Sequence, residues 1–98
     1  MDMFNPSHPG KILKELYLDE LKMSIAALAL RTAISRKHLS NIVNGKVPIS
    51  TEVALKLAKV FNTTPEIWLK EQLQYDLWQA KQKINLDNIL PYNQLMEG

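Results

Sequence analysis

Within twelve residues the chain places Ser35, Arg36, Lys37, Ser40, Asn41, Asn44 and Lys46. Such a set can do one kind of chemistry well, which is hydrogen bonding to a polyanion that also displays base edges. Arginine can pair with guanine N7 and O6 through two parallel bonds, and asparagine can do the same with adenine N6 and N7. Ser35, Ser40 and Lys46 suit phosphate oxygens, contacts that position a protein without reading sequence. Taken singly, each is an ordinary solvated surface residue. Grouped, they point to the groove of a DNA duplex.

A groove is read by side chains that a helix holds out in a row. The stretch Met23–Lys46, MSIAALALRTAISRKHLSNIVNGK, has the pattern of two short helices and a tight turn. Ser24 can cap the first and Ser35 the second, each hydroxyl accepting from a free N–H of the first helical turn. Met23 with Leu28, and Ile34 with Leu39, sit where hydrophobic staples would brace those two helix starts. Gly45 after Asn44 ends the second helix, because glycine takes the left-handed conformation at little cost. Leu39, Ile42 and Val43 fall on one side of that helix as its inner face. The groove-suited residues fall on the other. This is a helix-turn-helix layout with the second helix as reader, whose first turn also offers unpaired N–H groups to a phosphate.

Charge favours the same assignment. From Leu21 to Thr51 the chain carries Lys22, Arg31, Arg36, Lys37 and Lys46 and no acid, a local net of +5. Residues 1–20 have a net of −2 and residues 52–98 a net of −1, so the overall +2 conceals a basic middle between mildly acidic ends. A basic patch of that kind attracts a polyanion, while the flanking acids limit adhesion elsewhere.

His38 lies in the first turn of the reading helix. The other histidine, His8, is thirty residues away and no acid occurs between Glu20 and Glu52. A metal or general-base role wants such a neighbour, so His38 is expected to be packed or to flank DNA. No catalytic residue, metal site or cofactor is expected, and a nuclease using His38 is the remote alternative. The 98 residues suit one domain, and the absence of cysteine removes disulfides and thiolate sites. No signal-peptide layout is visible at the start, and the longest apolar run, Ile25–Leu30, is too short to cross a bilayer. The expectation is a cytoplasmic protein.

Three further helices complete the organisation. Residues 1–8 are expected to form a loose arm, with Pro9 at the first position of a helix whose stripe is Ile12, Leu13, Leu16, Tyr17 and Leu21. Ser50 caps a helix with an inner stripe of Ala54, Leu57, Ala58 and Phe61, broken at Asn62. Thr64 and Pro65 start the longest helix, to about Lys83. At 100° per residue, Trp68, Tyr75 and Trp78 lie together on it, while Leu69, Leu73 and Leu77 lie almost opposite. One small domain covers one face, so the second is expected to meet a twin subunit or another protein unless the tail 84–98 covers it. All six residues are therefore candidate dimer or partner contacts. The resulting division is an arm (1–8), a helix-turn-helix domain (9–83, reading unit 23–46) and an irregular tail (84–98).

The 23–46 segment resembles the helix-turn-helix of the XRE (Cro/C1-type) repressors. Three further blocks, HPGKIL at 8–13, NIVNGKVPIS at 41–50 and ALKLAKVFNTTPEIWLKEQLQYDLW at 54–78, resemble the HigA antitoxins, also known as virulence-associated protein I. The likeness spans about residues 8–80. It implies an all-α, five-helix, lambda-repressor-like domain and a homodimer that grips a palindromic operator through the major groove and represses its own operon. It also implies neutralisation of a small basic toxin, HigB, a ribonuclease that cuts messenger RNA on the ribosome. Ser35, Arg36, Lys37, Ser40 and Asn41 match the family's reading helix, and Asn44 with Lys46 its NGK end. Two departures are Ile25, where the family often has a phosphate-bracing glutamine, and Ala33, where its turn usually has glycine. A stand-alone regulator without a toxin, or a pure protein-interaction module, remain the alternatives.

Overall fold

Pro9 opens the first helix in the computed structural model, which describes the backbone of residues 5–95 and the side chains of residues 5–93. Helix α1 covers residues 9–21 in three joined pieces: an α-helical turn at Pro9–Ile12, a π-helical stretch at Leu13–Leu18 and a last α-helical turn at Asp19–Leu21. The wide stretch changes which residues face inward. Residues five apart in an α-helix stand about 140° apart, at 100° per residue, whereas i→i+5 bonding brings them onto one side. Leu13 and Leu18 are both buried, while Leu16 and Leu21 are 63% and 57% exposed. The expected stripe holds at Ile12, Leu13 and Tyr17 and is corrected at Leu16 and Leu21, whose place Leu18 takes.

The remaining elements are α2 (Ile25–Thr32), α3 (Arg36–Val43), α4 (Thr51–Phe61), α5 (Pro65–Lys83) and a single turn, α6 (Tyr92–Leu95), within the tail. Five helices thus build the domain, and no strand occurs among the described residues. Local chemistry sets their starts. Ser24, Ser35 and Ser50 accept from the N–H groups of Ala27, His38 and Val53 at 3.0, 3.0 and 3.2 Å. Their ends are set by left-handed residues, Lys22 after α1, Ala33 after α2 and Asn62 after α4.

The core gathers Leu13 and Leu18 from α1, Leu28 from α2, Ile34 from the turn, Leu39 and Ile42 from α3, Val53, Ala54 and Leu57 from α4, and Trp68 from α5. Both staple pairs lie in or against it, and so does Ile25, whose side chain packs inward. That packing accounts for an apolar residue at the head of α2. The start of the chain is less loose than expected: Pro6 is buried and His8 half-buried, while residues 1–4 of the expected arm lie outside the described residues. Beyond Lys83, residues 84–93 are exposed throughout, and the molecule is drawn out to 60 × 23 × 22 Å. The described part of the tail therefore leaves α5's outer face open.

Candidate nucleic-acid interface

Helix α3 is held by two buried side chains, Leu39 and Ile42, with Val43 half-buried beside them. Its opposite side carries Arg36 and Lys37, both exposed, and Ser40 and Asn41, half-buried at its flank; Ser35, Asn44 and Lys46 are exposed at its two ends. All seven expected residues thus share one continuous surface along the reading helix. Among the described residues, the ion pairs are Lys14–Asp19 and Lys56–Glu52, so Arg36, Lys37 and Lys46 are left to meet an external anion. Ser35 has a double duty, since its Oγ already accepts from His38 and only its own proton remains for a phosphate. Asn44 Nδ2 donates to Ser40 Oγ at 3.4 Å, which orients that amide on the surface. His38 is exposed rather than packed, leaving the groove-flanking alternative. No group of three or more His, Asp or Glu that could hold a metal occurs among the described residues.

Both ends of α3 are anchored by contacts that periodicity does not show. At its start, Thr32 Oγ1 donates to the Leu28 carbonyl at 2.8 Å and accepts from Ile34 N–H at 3.2 Å, so this buried hydroxyl satisfies the turn between α2 and α3. At its end, Gly45 (φ +73°) lets Lys46 N–H reach the Asn41 carbonyl at 2.8 Å. Gly10 of α1 lies against the same end: a Cβ there would fall 1.7 Å from the Ile42 carbonyl oxygen. The extended link that follows is tied to α5, because buried Gln72 accepts from Ile49 N–H at 2.7 Å and donates to Asp76 at 2.9 Å. A glycine inside the first turn of a helix was the available sign of close backbone approach; Gln72 gave none.

His8 joins these parts. Its Nδ1 accepts from Gly10 N–H at 2.9 Å and caps α1, and its ring meets Tyr75 edge-on with centroids 5.0 Å apart. Burial pushes the imidazole below its ordinary value, against a smaller upward pull from Asp76 and a backbone hydrogen bond with Val47.

Ala33 stands in the turn at φ 59°, ψ 25°. A side-chain-bearing residue there costs about 1–2 kcal/mol, and a glycine would return roughly 0.4–1 kcal/mol through greater freedom of the unfolded chain. Ala33→Gly is therefore expected to stabilise by about 0.5–1 kcal/mol, raising the melting temperature by about 2–8 °C. A calorimetric scan showing no rise would mean that the turn carries no strain.

Helix α5 requires one correction. Trp68 is fully buried, donates from Nε1 to Thr63 Oγ1 at 3.0 Å and packs on Tyr17 and Phe61. It is a core residue and cannot reach a partner. Tyr75 and Trp78 are half-buried beside His8 and the end of α3, and Leu69 is half-buried against the core. Leu73 and Leu77 are 57% and 49% exposed.

Comparison with known proteins agrees with this geometry. Residues 13–68 match the helix-turn-helix family. An uncharacterised helix-turn-helix transcriptional regulator of Haemophilus influenzae is 48% identical over 74% of this chain and 68% of its own length. An addiction-module antidote protein of the HigA family from Coxiella burnetii superposes with a TM-score of 0.79 at 41% identity, covering 91% of this chain and all of that one. The protein PA4674 of Pseudomonas aeruginosa, solved in complex with its operator DNA, superposes at 0.82 with 31% identity over 88% of this chain and 95% of that one. No helix among the described residues is long and apolar enough to cross a membrane. The chain belongs to the XRE (Cro/C1-type) helix-turn-helix family, on the branch that includes the HigA antitoxins.

Proposed function

We propose that the chain is a dimeric, operator-binding transcriptional repressor and the antitoxin of a HigBA-like operon. One observation carries the reading: the basic and amide side chains of α3 form an accessible surface while Leu39 and Ile42 lock the helix beneath them. Ser35, Arg36, Lys37, Ser40, Asn41, Asn44 and Lys46 are the proposed DNA contacts. The open stripe Leu73–Leu77 on α5, flanked by Leu69, is the proposed meeting face of two protomers. A twofold axis there would present two reading helices to successive major grooves, about 34 Å apart, and so occlude a promoter. A small basic ribonuclease is the proposed toxin. A stand-alone regulator shares every DNA contact and differs only in lacking such a co-purifying partner.

The test is an electrophoretic shift of the chain's own promoter across salt concentrations. Three phosphates neutralised per protomer give a log–log slope of about −5, at roughly −0.9 per phosphate. Arg36→Ala is expected to cost about 1–3 kcal/mol and to relax base preference at one position. A flat salt response, or no specific shift at low salt, sinks the repressor reading.

A further inference from the structure

We infer that His8 is a positioning residue of the DNA-reading unit, pinning the end of α3 between α1 and α5 and doing so only as a neutral imidazole. This rests on the proposed DNA reading and adds a regulation to it.

Three segments meet at this one ring. The Nδ1 atom takes the Gly10 N–H at 2.9 Å, holding the first turn of α1. Gly10 in turn lies against the Ile42 carbonyl and the Val43 Cα, the last turn of the reading helix. The ring also covers Gly45, close enough that a Cβ there would sit 3.7 Å from it, and it lines one cleft with Val47 of the link beyond. From the other side Tyr75 of α5 closes on it at 5.0 Å and is itself held by a hydrogen bond from Gln79 at 2.8 Å. The angle at which Asn44 and Lys46 leave α3 is thus set by contacts that run through His8.

The tautomer matters. A neutral imidazole has one acceptor nitrogen, and here it is the capping one; the imidazolium is a donor at both. Protonation would turn an N–H toward the Gly10 N–H and would place a positive charge at a helix N-terminus, where the backbone dipole disfavours it. The charged groups around the ring are Asp76 on α5, which favours the cation, and Lys11 on α1 and Lys46 after α3, which line the adjoining clefts. Tyr75 meets the ring edge-on. Burial tips the balance toward the neutral form. A group with its folded value lowered stabilises fully above its unfolded value, 6.5 here, and loses that stabilisation as pH falls through the folded value.

The test measures affinity for a fluorescent duplex of the chain's own promoter from pH 7.5 to pH 5 at fixed salt. It uses a His38→Gln background, so that His8 is the one histidine left in the chain. His8→Asn keeps a good capping acceptor without titrating, and His8→Asp supplies a second acceptor that stays ionised across this range. The His8 protein is expected to lose about fivefold more affinity than either variant as pH falls, the size of one lost helix cap. Coincident pH profiles overturn the role of His8. Thermal unfolding over the same pH range separates the two readings: if no protein shifts the duplex at pH 7.5, the DNA reading fails. The role of His8 in holding α3 is then decided by whether its melting temperature falls with acid more than that of His8→Asn.

Discussion

Gly10→Ala is expected to lower stability by about 3 kcal/mol, the upper end of what overpacking a filled interior costs. Helix propensity alone would predict the reverse, since alanine is favoured over glycine by about 0.8–1 kcal/mol inside a helix. The contact decides the sign. The added Cβ would fall 1.7 Å from the Ile42 carbonyl oxygen and 3.0 Å from the Val43 Cα, both backbone atoms of the reading helix. A flexible side chain could swing aside; a helical carbonyl already accepting from Gly45 N–H at 3.0 Å cannot. Either α1 or α3 must move as a body. For a domain of this size the melting temperature should fall by about 12–24 °C, and operator affinity of the surviving folded fraction should fall with it, because the displaced helix carries the proposed DNA contacts. A melting curve within a few degrees of the parent would show that the two backbones do not meet.

Trp68→Ala should do comparable damage for the opposite reason. Truncating a buried Trp or Phe typically costs about 3–5 kcal/mol, part lost transfer energy and part cavity, out of a total of about 5–15 kcal/mol for a domain. Here the indole also fills the space between Tyr17 and Phe61, with centroids 5.0 and 6.4 Å away, and its departure leaves Thr63 Oγ1 without a donor. The melting temperature is expected to drop by at least about 12 °C, whatever the protein concentration. Were Trp68 a partner contact, the deficit would shrink at high concentration as mass action restored the dimer. A concentration series of unfolding scans therefore separates the two roles.

What could be read from residues alone was what neighbouring residues decide. Ser24, Ser35 and Ser50 make their capping bonds within three residues, and Leu39 and Ile42 point inward because α3 is regular. The accessible polar face of α3 was legible for the same reason. Features that depend on distant partners were not. The periodicity that grouped Trp68 with Tyr75 is correct, yet it could not say that Tyr17 and Phe61 would take the indole into the core. Gln72 looks like any helical glutamine until Ile49, twenty-three residues away, presents an N–H with no other acceptor. His8 is of the same kind: its bond to Gly10 is local, but its contact with Tyr75 of α5 exists only in the fold. The tail was the alternative cover for the outer face of α5, and its exposed run from residue 84 to residue 93 shows why composition could not settle the matter, since apolar content does not fix where a chain goes.

The wide stretch in α1 has a consequence for kinship. A helix with i→i+5 bonding holds one residue more than a regular helix of the same length. The helix-turn-helix family match begins at Leu13, the first residue of that stretch. Any residue-by-residue correspondence drawn through 13–18 with a chain whose first helix is regular will slip by one position, pairing Leu18 with a neighbour of its true counterpart. Ancestral or chimeric sequences assembled on such an ungapped correspondence would carry the wrong side chain into the interior, and a single-residue gap restores the match.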